Sequence, residues 1–137
     1  MKKLNVAFLL FCVLLVGCSI AENQQLTRVD VHFVNLDGSD GDAFMITEKT
    51  SLEALKLLFK KVKWESNSEV AMPRREDLKA TLFVQVEKDA PEKLYDYRIW
   101  FNDDETVTIL SSNLKESFGK LDIKNAELLK KELEKLK

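Results

Sequence analysis

The sequence predicts an α+β fold: an antiparallel sheet made of a strand pair plus a three- to four-strand meander, with one helix after the first strand pair and one C-terminal helix. Three observations carry that expectation. Apolar and polar residues alternate with period two over residues 28–33. Apolar residues recur at three- and four-residue intervals in two stretches, after Thr50 and after Asp122. Between these stretches lie three short runs rich in β-branched and aromatic residues, separated by Pro, Asn and Asp.

The N-terminal residues stand outside that pattern. Lys2 and Lys3 precede an apolar run of eleven residues, 6–16, whereas a bilayer-spanning helix needs roughly 20. The run is expected to be the core of a signal peptide spanning residues 1–17 and absent from the mature protein. It closes on Leu15, Val16, Gly17 and Cys18, which resembles the lipobox of bacterial lipoproteins, where a small residue precedes a lipidated cysteine. The resemblance implies a diacylglyceryl and fatty-acyl (palmitate-type) anchor on Cys18 and a location on the extracytoplasmic face of the cell membrane. Each buried CH₂ contributes about 0.8 kcal/mol, so stable retention takes two or more chains, and such a group meets that need. The competing reading is an uncleaved helix, or a plain secretory signal in which Cys18 is incidental.

Cys12 lies in the discarded core, so no cysteine remains for a disulfide, a thiolate metal site or a nucleophile once Cys18 is acylated. The whole chain is net −2, and loss of Lys2 and Lys3 makes the mature chain more acidic still. Nucleic acid is therefore not an expected partner. The mature length suits one domain, expected over 28–137, because a chain of this size buries roughly 65% of its unfolded surface without cross-links.

Residues 18–27 comprise the lipidated cysteine and a polar segment with no apolar period, which is expected to be a tether. Nine coil residues span about 15–18 Å, and about 30 Å fully stretched. In the first strand Val29, Val31 and Phe33 share one side, and Arg28, Asp30 and His32 the other. A Gly- and Asp-rich segment, 35–42, then leads into Phe44, Met45 and Ile46, which suggests a hairpin. Thr50 and Glu53 match a capping box, and Leu52, Leu55, Leu58, Phe59 and Val62 form one stripe, so a helix is expected over 51–62.

Residues 64–77 contain Pro73 and no lasting period, which predicts a loop, with room for a short strand at its start. Loops of this length in small domains tend to be functional or mobile. Strands are expected over 80–87, 95–102 and 106–110, and residues 116–121 read as a further short strand in preference to a helical turn. Asp122 is placed to cap a final helix whose inner face carries Ile123, Ala126, Leu129, Leu133 and Leu136. Glu127/Lys131 and Lys130/Glu134 are spaced as favourable i,i+4 pairs.

This layout, with the stretches TSLEALKLLFKKVKW, YRIWFND and ESFGKLDIKNAELLKKEL, resembles a group of small Gram-positive bacterial lipoproteins of unknown function that includes the YhfM-like domain. The resemblance implies a fold and an address, and no assigned activity.

Few side chains suggest chemistry. The single histidine, His32, sits on the polar side of its strand, and no local motif supplies partners for a catalytic triad. One histidine excludes a multi-histidine zinc site. Asp37, Asp40 and Asp42 invite a calcium reading, but with Asp37 at position 1 of an EF-hand loop, position 6 is Asp42 where glycine is required. There is no glycine-rich phosphate loop and no G-x-S-x-G elbow, so no cofactor and no metal are expected. Paired carboxylates could hydrolyse envelope glycans, yet 23 acidic residues single out no pair. Lys56, Lys60, Lys61 and Lys63 would form one basic patch with Arg74 and Arg75 if the loop folded back over the helix; charges held beside an anionic membrane each contribute up to about 1 kcal/mol.

The alternation in residues 97–101 puts Arg98 and Trp100 on one face, where Phe83 could join them. Trp and Arg on an open sheet face are residue types that anchor interfaces, whereas a covered face would make Trp100 core. The expectation is a membrane-anchored extracytoplasmic module that is not an enzyme and binds a protein or other envelope partner. Its contact residues are Arg98, Trp100, Phe83, Arg74 and Arg75. The alternatives are a cell-envelope hydrolase and an inhibitor or immunity lipoprotein.

Overall fold

The computed structural model describes residues 24–66 and 68–137. The expected signal peptide, the lipidation of Cys18 and the first part of the tether lie outside the described residues. The chain runs β1 (Gln25–Val34), β2 (Asp40–Ile46), α1 (Lys49–Lys60), β3 (Lys63–Glu65), β4 (Leu78–Gln85), β5 (Lys93–Phe101), β6 (Val107–Ser111), β7 (Phe118–Leu121) and α2 (Ile123–Glu134). The seven strands form one sheet in the order β2-β1-β4-β5-β6-β7-β3, and every neighbouring pair is antiparallel. The fold is α+β, as the alternating and helical periods predict.

The first strand begins earlier than its cleanest alternation. Leu26 pairs with Val84 and Arg28 with Phe83 across an irregularity that leaves Thr27 between them. Residues 25–27 are therefore sheet rather than tether. That extra residue keeps Leu26 on the inner face despite the break in period. The hairpin to β2 exists, with Val29 opposite Ile46 and Val31 opposite Phe44.

In α1 the leucine stripe buries Leu52, Leu55, Leu58 and Phe59. The expected capping box is absent. The helix starts at Lys49, Glu48 stands at the N-cap without a side-chain cap, and the Thr50 hydroxyl bonds instead to the Glu48 carboxylate at 2.9 Å. Once helix formation begins before Thr50, that residue's backbone is helical and cannot adopt the extended cap geometry. In α2 the Asp122 carboxylate accepts the Asn125 N–H at 2.9 Å, as its position predicts. Ala126, Leu129 and Leu133 are buried, but Ile123, the first residue of α2, is 52% exposed. Glu127 and Lys131 pair at 3.5 Å, while Lys135 takes Glu132 at 2.8 Å.

Both helices lie on one face of the sheet. Their inner residues meet Val29, Val31, Leu78, Ala80, Ile99, Val107, Ile109 and Leu121 in one apolar core. The short β3 closes the sheet by pairing Trp64 with Gly119. Gly119 is required there, since a Cβ at that position would run into Val62 and Trp64.

Candidate functional site

The outer face of the sheet carries the residues singled out in the sequence, and the structure reassigns them. Trp100 is 0% exposed and cannot be a contact residue. Its ring lies under the Arg98 guanidinium, 5.1 Å from the centroid, and its indole N–H donates to the Arg74 carbonyl at 2.9 Å. The segment leading to β4 therefore runs across the outer face as a strap.

Its fastenings are ionic. Asp77 accepts from Arg74 at 2.7 and 3.0 Å and from the Phe101 N–H at 2.7 Å. Glu76, with a side chain only 2% exposed, accepts from Arg98 at 2.9 Å, with the Lys79 ammonium 3.8 Å away. Burial pushes the Glu76 carboxyl up, but the Arg98 hydrogen bond, the Glu76 backbone N–H and the charges of Arg98 and Lys79 outweigh it. The group ends below its ordinary 4.5. Asp77 is also desolvated, and the bonds from Arg74 and Phe101 hold it below its ordinary 3.8.

The strap does not fold back over α1, so the basic patch that such a path would have formed is not assembled. Arg74 is committed to Asp77 and to the Phe101 carbonyl at 2.8 Å. Arg75 packs against Gly38 in the β1–β2 turn. Nor does Phe83 join Trp100. It pairs with Leu94 and lies under Arg28, 4.6 Å from the ring centroid. Leu94 and Trp100 are six residues apart on β5, about 20 Å at strand rise. His32 stands half-buried in β1 opposite Ala43 and Lys79. Asp37 is occupied by the Ser39 hydroxyl and N–H, which hold its carboxyl below the usual range. Among the described residues no group of three His, Cys, Asp or Glu side chains is placed to hold a metal ion.

The inner face holds a site that the sequence reading missed. α2 lies over the end of the sheet marked by Phe33 and Phe101. At the other end, among the described residues, α1 alone covers it, and there a groove of about 260 Å³ opens. Leu26, Leu82 and Val84 form its apolar floor. Phe59, Trp64 and Tyr95 supply aromatic walls, and Lys56 and Lys60 rise from α1.

The polar end of the groove is Tyr97 and Glu116. The Tyr97 hydroxyl donates to the Glu116 carboxylate at 2.9 and 3.0 Å, and the Ser111 hydroxyl donates to it at 2.9 Å. Burial, then the charge of Glu116, push the Tyr97 phenol far up, so it stays protonated and remains a donor. Phe59 and Trp64 hold the Tyr97 ring at centroid distances of 5.1 and 5.5 Å. An apolar cleft with a few convergent polar groups is the usual form of a ligand site. One signal was available in the sequence: Tyr97 falls on the core-facing register of its strand, and a buried phenol needs a partner for its hydroxyl.

No family model matches this chain, and no curated protein matches it. Among solved structures it is similar to a thioesterase-like protein from Clostridium sporogenes, at 18% identity and a TM-score of 0.51. The match covers 78% of this chain and 93% of that one. At that identity the likeness concerns the fold. It corrects one expectation, that the chain is not an enzyme: a thioesterase-like protein carries a comparable architecture, so the lack of a familiar motif is no argument against catalysis.

Proposed function

We propose that this is a membrane-anchored extracytoplasmic lipoprotein, lipidated at Cys18, whose domain binds an envelope ligand or partner in the groove between α1 and the sheet. The address rests on the lipobox-like ending and the resemblance to small lipoproteins such as the YhfM-like group. The binding role rests on one observation above all, an apolar cleft at which Lys56, Lys60, Tyr97 and Glu116 converge. Arg98 and the strap belong to the scaffold, because their polar groups are engaged with one another.

Mass spectrometry of the native protein is expected to give a chain that begins at a diacylglyceryl-modified Cys18, and Cys18→Ser is expected to release the protein from the membrane fraction. An unmodified thiol or a retained Met1 would overturn the address. The groove is tested separately: material that copurifies with the parent protein should be lost from Trp64→Ala while the chain still unfolds cooperatively.

A second reading places hydrolysis at the same groove, with Glu116 as the carboxylate. The thioesterase-like neighbour favours it. Turnover of simple acyl thioesters that disappears in Glu116→Gln would establish it, and turnover unchanged in that variant would remove Glu116 from the reaction.

A further inference from the structure

We propose that the groove takes a single-chain amphipathic anion, its tail on the Leu26, Leu82 and Val84 floor and its headgroup between Lys56 and Lys60. The inference rests on the groove being the binding site and adds the chemical class of what binds.

Charge is the first argument. Lys56 and Lys60 are four residues apart on α1, so their side chains are neighbours, with about 5–6 Å between Cβ atoms. Among the described residues neither is within 4.0 Å of a carboxylate, although Lys79, Lys131 and Lys135 each are. The single acidic group in the lining among the described residues, Glu116, is already held by two hydroxyl donors. Two lysines against one carboxylate leave the groove net positive, which selects an anionic headgroup over a cationic one. Lysine stems also cover apolar surface while the ammonium stays at the rim, as an amphiphile requires.

Size is the second argument. The cleft of about 260 Å³ lies just below the roughly 300–1,000 Å³ of pockets for drug-sized ligands, a scale that suits one short acyl chain better than a two-chain lipid. Position is the third. Gln24 lines the groove and follows Cys18 by six residues, no more than about 20 Å when extended. An anchored protein would hold the groove beside the lipid from which such amphiphiles partition. Fatty-acid carboxylates are the source to which the inference commits.

The test is calorimetric titration of the Cys18→Ser protein with octanoate, octanol and octylammonium. Octanoate is expected to bind saturably at one site and more tightly than octylammonium. Lys56→Met with Lys60→Met should weaken octanoate by roughly tenfold and leave octanol unchanged. Lys60→Glu alone, at an exposed position, should weaken octanoate and strengthen octylammonium. Should octylammonium bind as well as octanoate, or the lysine variants retain full octanoate affinity, the anion assignment is overturned while the groove remains a binding site. Failure of all three probes to bind would overturn the groove reading together with it.

Discussion

At the scale of single residues, burial decides roles that residue type suggests otherwise. Trp100 has the composition of an interface anchor and the environment of a core side chain, 0% exposed with its N–H satisfied. Trp100→Ala is expected to lower the unfolding free energy by about 3–5 kcal/mol, the usual effect of emptying a large buried aromatic site. Trp100→Phe should keep most of the packing and lose about 1 kcal/mol with the hydrogen bond. Urea denaturation of the two variants measures the difference, and a near-neutral Trp100→Ala would return the residue to the surface. Gly119→Ala should destabilise by about 1–3 kcal/mol through overpacking, because the added methyl meets Val62 and Trp64 in the pairing of β3 with β7.

At the scale of elements, the strap is the feature most sensitive to conditions. Glu76 and Asp77 both titrate below their ordinary values in the folded protein. A carboxyl of that kind contributes stability above its unfolded pKa and loses the contribution as pH falls through the folded one. Urea midpoints are therefore expected to be level near neutrality and to fall as pH drops below about 4.5. The slope should flatten in Glu76→Gln, and an unchanged slope there would remove the Glu76–Arg98 pair as its source. The capping of α2 is a smaller effect: Asp122→Ala should reduce stability by about 1 kcal/mol. The strap itself was readable only as a loop lacking period. Neither its path across the outer face nor the Glu76–Arg98 pair follows from spacing, since those two residues are brought together by the β4–β5 pairing.

At the scale of the whole molecule, one face of one sheet carries the core and both helices. Removing residues 122–137 takes away Leu129 and Leu133, two buried leucines of the core. Each contributes about 1.5–3 kcal/mol, against a total stability of about 5–15 kcal/mol for a typical domain. The truncated chain is expected to show no cooperative urea transition, and a sharp transition at the parent midpoint would show that α2 is dispensable. Among the described residues the placement of α2 also leaves the opposite end of the sheet to α1 alone, and the groove follows from that asymmetry.

The elements were legible in the chain: the alternation in β1, the leucine stripes of α1 and α2, the turns of the meander and the Asp122 cap are local patterns, set by residues within a few positions of one another. Lipidation of Cys18 remains a proposal from the same local reading. Packing between distant segments settled the rest: that Trp100 is buried, that the lysines of α1 and the arginines of the strap lie on opposite sides of the sheet, and that Lys56, Trp64, Tyr97 and Glu116 line one cleft. Period tells which residues share a face of their own element. What covers that face is settled by pairings between residues far apart in the chain, and those carry no local signature.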